Sequence, residues 1–152
     1  MYKIMYVCHG NICRSPMGEF ICKQLVRERG LQNKIAVASS ATSTEEIGNP
    51  VYPPARREMD KRGILHTPRG AVQITRKDGE ECQLILCMDD YTYRNLSRIL
   101  RAEDMAKVKK IRSFSGSDES VADPWFTGDY ATAFDQIYQG TLDMLCQVEI
   151  LL

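Results

Sequence analysis

The stretch Val7-Cys8-His9-Gly10-Asn11-Ile12-Cys13-Arg14-Ser15-Pro16 constrains this chain more than any other. Before it, Tyr2-Lys3-Ile4-Met5-Tyr6-Val7 mixes β-branched and aromatic residues and reads as a short buried strand. After it, residues 17–29 carry Met17, Phe20, Ile21 and Leu25 on one helical face, with Gly30 available to end the helix. Pro16 suits the first turn of that helix, where a missing N–H leaves no bond unmade. The stretch is therefore a strand–loop–helix junction. Backbone N–H groups gathered where a helix begins make an anion site before any side chain is considered.

The side chains narrow the chemistry. Cys8 opens the loop and Arg14 closes it. A thiol beside a helix N-terminus and a guanidinium is favoured as the thiolate, which is the nucleophilic form. Arg14 offers a planar fork for two oxygens of a phosphate. Gly10 lets the backbone approach a ligand closely. Asn11 tolerates positive φ, and its amide can tie the loop together. Ser15 sets a hydroxyl where it can donate to the sulfur.

Taken together, these ten residues resemble the phosphate-binding loop of the low-molecular-weight protein tyrosine phosphatases. The resemblance runs along nearly the whole chain. It implies a doubly wound α/β fold with a four-stranded parallel sheet, in a single domain over residues 1–152. The alternation of strands and helices after a phosphate loop points the same way. On this resemblance, Cys8 is the nucleophile, Arg14 holds the phosphate, and His9, Gly10, Asn11, Ile12, Cys13 and Ser15 line the loop. Ser40-Ala41-Thr42-Ser43 and Ile47-Gly48-Asn49-Pro50 resemble the loop that walls the family's cleft. Glu45 stands there where members often carry an aromatic residue, and a carboxylate does not stack on a phenyl ring. Ile64-Leu65-His66-Thr67-Pro68-Arg69 resembles a His-x-Ala-Arg segment, which implies that His66 braces Asn11. Asp123-Pro124-Trp125-Phe126 resembles the Asp-Pro-aromatic-aromatic loop, making Asp123 the general acid and Trp125 and Phe126 cleft walls. Members regulated by phosphorylation have tyrosines after the proline, so that control does not carry over to Trp125 and Phe126.

The remaining elements follow from pattern. Residues 34–39 read as a second strand, 55–62 as a helix with Met59 inward and Gly63 at its end, and 75–81 as a polar, exposed stretch. The apolar run 83–88 is the clearest central strand. Asp89 is placed to cap a helix that buries Leu96, Ile99 and Leu100. Residues 107–111 form a weaker fourth strand and 112–121 a polar loop. The last helix, 129–149, has Tyr130, Phe134, Ile137, Leu145 and Val148 at core spacing.

Composition excludes several alternatives. With a formal net charge of +0 and no basic run, nucleic-acid binding has no electrostatic support. No stretch approaches the length of a membrane-spanning helix, and the first residues lack a signal-like apolar core. Six cysteines without Cys-x2-Cys spacing, beside only two histidines, read as reduced thiols and argue against a metal. The expectation is a cytoplasmic, cofactor-free enzyme, a monomer or weak dimer, acting on a phosphotyrosine protein or small aryl phosphate. Three rivals stand beside it: a thioredoxin-coupled arsenate reductase using Cys82 and Cys87, a protein-arginine phosphatase, and a phosphotyrosine-binding module without turnover. Apolar Ile12 favours an aryl ester over a guanidinium. The Cys8–Cys13 spacing also suggests a reversible, protective disulfide, against which Cys13 is a small loop filler.

Overall fold

The computed structural model describes residues 1–152. Four parallel strands make one sheet: β1 (Tyr2–Cys8), β2 (Ile35–Ala41), β3 (Leu84–Cys87) and β4 (Val108–Lys110), in the order β2-β1-β3-β4. Six helices accompany them: α1 (Arg14–Glu28), α2 (Pro53–Lys61), α3 (Arg76–Glu81), α4 (Asp90–Ile99), α5 (Pro124–Thr127) and α6 (Tyr130–Leu151). Short 3-10 turns at Ala102–Lys107 and Ile111–Ser115 flank β4.

β1 is the axis of the sheet. It pairs with β2 from Tyr2↔Ile35 to Cys8↔Ala41, and with β3 from Ile4↔Leu84 to Val7↔Cys87. The parallel register brings the ends of these strands to one edge. The segments after Cys8, Ala41 and Cys87 therefore emerge side by side. The chain steps from β1 outward to β2 and then returns to β3 on the other side, so this edge is a topological switch point, where such sheets hold ligands.

Alternation along the strands builds two cores. Ile4, Tyr6, Cys8, Leu84 and Leu86 face the larger one with α1 and α6. Met5, Val7, Ile85 and Cys87 face the smaller one, with Leu96 and Leu100. Burial on both faces explains why β1 and β3 read as continuous apolar runs. The expected inward residues Met17, Phe20, Ile21, Leu25, Met59, Leu96, Leu100, Phe134, Ile137, Leu145 and Val148 are buried, while Ile99 and Tyr130 are only partly so.

Three local expectations change. α1 starts at Arg14, three residues before the apolar face begins, so the loop's last residues are already helical. Residues 75–81 are not simply an exposed stretch: Thr75 caps α3 by accepting from the Asp78 amide at 3.1 Å, and Asp78 accepts from the Thr75 amide at 2.9 Å. This reciprocal box supplies what the segment's lack of apolar residues cannot. The polar loop expected over 112–121 begins as a 3-10 turn reaching Ser115. No helix is long and apolar enough to cross a membrane.

α1 must lie close to β1 for its N-terminus to meet Cys8. Gly18 makes that approach possible, since a Cβ there would sit 2.3 Å from the ring of Tyr6. That ring cannot move aside: Tyr6 is fully buried and its hydroxyl is 2.7 Å from Thr141 Oγ1 on α6. Gly18→Ala is expected to destabilise the fold by about 1–3 kcal/mol through overpacking, read as a lower midpoint in urea unfolding; an unchanged midpoint would contradict the close approach.

Candidate active site

Five of the six carbonyls of residues 8–13 are engaged by donors elsewhere in the chain, Gly10 O being the exception. Cys8 O accepts from Thr42 N at 3.0 Å, His9 O from Ser43 N at 3.1 Å, and Ile12 O from Tyr52 N at 2.8 Å. Cys13 O accepts from Met17 N at 3.2 Å, and Asn11 O from Arg69 Nη2. The amides of Gly10, Ile12, Cys13, Arg14 and Ser15 have no acceptor within the chain. A loop with held carbonyls and free amides is an anion cup. The turn itself requires Asn11, the one non-glycine residue with positive φ, at 59°.

Cys8 sits at the base of this cup. Its Sγ is 3.0 Å from Ser15 Oγ and accepts from the Asn11 amide at 3.3 Å. A chain of hydrogen bonds runs behind Ser15. Ser39 Oγ donates to Glu19 Oε1 at 2.6 Å, because a carboxylate can only accept. Asn11 Nδ2 donates to Ser39 Oγ at 3.0 Å and to Ser15 Oγ at 2.8 Å. Ser15 Oγ thus accepts from Asn11 and keeps its own proton free, available to a Cys8 thiolate, which can only accept. Val72 N completes the set by donating to Asn11 Oδ1 at 3.2 Å.

Arg14, almost fully buried, stands opposite the sulfur. Its Nη1 lies 2.9 Å from Asp89 Oδ2 and donates to Val121 O at 3.1 Å, while Nη2 lies 3.4 Å from Asp123 Oδ2. Burial alone would lower its pKa, but the negative charges at Cys8, Asp89 and Asp123 outweigh that and raise it. Burial pushes the Asp89 carboxyl up, yet Arg14 and the Thr92 amide hold it below its ordinary value. Asp123 is fixed by its own segment. Val121 N donates to Met88 O at 2.8 Å, and Asp123 Oδ1 caps α5 by accepting from Trp125 N at 3.1 Å. Cys13 turns its thiol toward the Tyr130 hydroxyl at 3.9 Å, and burial pushes that thiol up to about 12.

These groups share a cleft of about 390 Å³. Its walls are Trp125, Phe126 and Tyr91, with Glu45 and Glu46 at the rim. Trp125 is backed by Tyr52, with ring centroids 5.0 Å apart, and His9 lies 5.7 Å from Tyr91.

The sequence model of the Low molecular weight phosphotyrosine protein phosphatase family matches residues 3–148. The chain belongs to this family. The rat low molecular weight phosphotyrosine protein phosphatase is 35% identical over 142 residues, covering 91% of this chain and 88% of the rat protein. The crystal structure of YfkJ from Bacillus subtilis superposes with a TM-score of 0.93 at 28% identity, covering 98% of this chain and 95% of that one. The Streptococcus pyogenes low molecular weight protein tyrosine phosphatase superposes at 0.85 with 31% identity, over 97% of this chain and 93% of its own.

Within that family frame, Cys8, His9, Gly10, Ile12, Cys13, Arg14, Glu45, Asp123, Trp125 and Phe126 all line the cleft, with Asn11 and Ser15 behind it. His66 does not brace Asn11. Its Nε2 is 2.7 Å from Asp60 Oδ1 and its ring meets the edge of Phe20, so the bracing falls to Ser39, the Val72 amide and Arg69. Glu45 is neither a stacking wall nor a free charge: its carboxylate is 2.9 Å from His9 Nε2. The aromatic wall comes instead from Tyr91, Trp125 and Phe126, with Tyr52 behind Trp125; Tyr91 and Tyr52 are absent from the sequence-based expectation. Asp89 caps α4 as expected, accepting from Thr92 N at 2.7 Å, but it also pairs with Arg14. That second role was signalled by its position just past β3, on the edge where Cys8 leaves β1.

Asp89 is held ionised by contacts that exist only in the fold, which fixes the sign of a pH effect. A carboxyl whose folded value lies below its ordinary 3.8 adds stability above that pH and loses it as pH falls through the depressed value. Asp89→Asn keeps an acceptor for Thr92 but not the charge. Urea unfolding is expected to show the wild type more stable than this variant near pH 6, with the gap closing below about pH 4; a gap independent of pH would refute the ion pair's contribution.

Proposed function

We propose that this cleft hydrolyses phosphate monoesters of phenols, phosphotyrosine in proteins above all, through a cysteinyl-phosphate. The reading is carried by one observation: Cys8 Sγ, the free loop amides, the Arg14 fork and the Asp123 carboxyl converge on a single cleft walled by aromatic rings. In the first step the Cys8 thiolate attacks phosphorus in line, forming the S–P bond as the bond to the phenolic oxygen breaks. Loop amides and Arg14 hold the equatorial oxygens as charge redistributes. Protonated Asp123 gives its proton to the departing oxygen, a contribution typically of about 10²–10⁴-fold. Water then attacks phosphorus, its proton passes to Asp123, the P–S bond breaks and the thiolate returns to the Ser15 hydroxyl.

The rivals fare less well. A reductase relay needs a second thiol that reaches Cys8, but Cys82 and Cys87 lie in the smaller core on the opposite face of the sheet. Burial pushes them up to about 11 and about 12 respectively, so neither is a ready nucleophile. Ile12 packs with Cys13, Ala71 and Tyr130, which leaves a phosphoarginine guanidinium no polar partner at that position. A binding module without turnover has no use for a carboxyl beside the leaving group. The proposal extends to a cytoplasmic monomer or weak dimer, in keeping with six unpaired cysteines.

Cys8→Ser is expected to abolish turnover of para-nitrophenyl phosphate while still binding inorganic phosphate, as measured by calorimetry; residual turnover near the wild-type rate would remove Cys8 from the nucleophile's role. Asp123→Ala is expected to lower kcat by about 10²-fold or more for phosphotyrosine and by less for para-nitrophenyl phosphate, whose leaving group needs less help from an acid. Equal losses on the two substrates would show that Asp123 is not the proton donor.

A further inference from the structure

Asn11 gives the loop its curl, and the far side of its peptide is held by a charge. Arg69 Nη2 donates to Asn11 O, and Arg69 Nη1 donates to Asn49 O at 3.4 Å. The carbonyls of Cys8, His9, Ile12 and Cys13 are engaged by neutral groups, the amides of Thr42, Ser43, Tyr52 and Met17 and the Ser43 hydroxyl. Arg69 is the one cation among these donors.

The peptide joining Asn11 to Ile12 links that cation to the cup. No peptide in the chain is cis, so the Ile12 N–H points away from the carbonyl that Arg69 grips. That amide has no acceptor in the chain, and Ile12 is buried. A cation drawing on the carbonyl end of a peptide makes its N–H end a stronger donor, as in any polarised chain of hydrogen bonds. The effect is larger away from bulk water, where charges are less screened. Arg69 is part-buried: burial pushes its pKa down, while the charges at Glu19 and Cys8 push it up.

We propose that Arg69 is a positioning residue for the phosphate-binding loop. It locks the Asn11–Ile12 peptide and polarises the Ile12 amide toward the bound phosphoryl group without touching substrate itself. This rests on the phosphatase reading above and adds to it a residue outside the loop that sets how tightly the dianion is held.

The test compares the wild type with Arg69→Ala, Arg69→Gln and Arg69→Lys. Inorganic phosphate binding is measured by calorimetry, para-nitrophenyl phosphate turnover by steady-state kinetics, and folding by circular dichroism. Ala and Gln are expected to weaken phosphate binding about tenfold or more, the scale of losing a hydrogen bond to a charged group. KM for para-nitrophenyl phosphate should rise and kcat fall in the same variants, with Lys recovering part of the loss. A folded Ala or Gln variant that binds phosphate within about twofold of the wild type overturns the proposal. A wholly structural role would lower the melting temperature and leave phosphate affinity alone. Should both variants fail to fold, the wild type decides: its Ile12 amide proton must shift downfield on phosphate titration by NMR, and an unmoved signal overturns the proposal. Absence of turnover in the wild type would instead sink the phosphatase reading, since phosphate binding is measured without it.

Discussion

The carbonyl groups of residues 8–13 impose the constraint on which the rest depends. A loop that closes its N–H groups around an anion must direct carbonyls into the protein. Each such carbonyl left unpaired there would cost about 1–3 kcal/mol. For every one of these but Gly10 the fold meets this with donors from well-separated places: Thr42 and Ser43 just past β2, Tyr52 at the start of α2, Arg69 before α3, and Met17 within α1. No short peptide could hold those donors in position. The cup is a product of the whole sheet edge, and the glycine contact that lets α1 press on Tyr6 belongs to the same requirement.

The parallel register then explains why two acids reach one arginine. β1 and β3 end together, so the residues that leave β3 pass beside the loop that leaves β1. Asp89 meets Arg14 directly. Met88 O fixes Val121, whose own carbonyl accepts from Arg14, and Asp123 follows two residues later. The guanidinium is thus oriented by fixed groups on both sides before any substrate arrives, which is the kind of preorganisation that phosphoryl transfer rewards.

Much of this was legible in the sequence because the loop's needs are local. A glycine, an Asn tolerant of positive φ, a thiol and a guanidinium at the junction of a strand and a helix have few other uses. Strand and helix positions followed from apolar runs that buried both faces of β1 and β3. What escaped was what depends on tertiary placement. His66 and Arg69 lie three residues apart on a segment without regular structure, and no periodicity says which one turns inward. Asp60, near the end of α2, captures His66; Arg69 is left facing the loop. Tyr91 comes to the cleft from the first turn of α4, and Tyr52, just before α2, backs Trp125. Residues 75–81 show only as a polar, exposed stretch in the sequence because a capping box, rather than an apolar face, makes that helix.

The balance of charge in the cleft decides how such a site takes a dianion. Arg14 is already flanked by Asp89 and Asp123, and Glu45 and Glu46 stand at the rim. Counted by side chains alone, the cleft is short of positive charge for a phosphate monoester beside a thiolate. Two things correct this. On the proposed mechanism Asp123 enters the first step as the acid, which takes one carboxylate out of the count. The rest must come from dipoles, and the amides of Gly10, Ile12, Cys13, Arg14 and Ser15 are free to supply it. In a water-poor cup fixed dipoles need no reorganisation as charge moves from phosphoryl oxygens to sulfur and back. Arg14, already paired with two carboxylates, is then placed more to orient than to neutralise, and the dipoles of the loop's amides carry the remaining electrostatic demand of the proposed reaction.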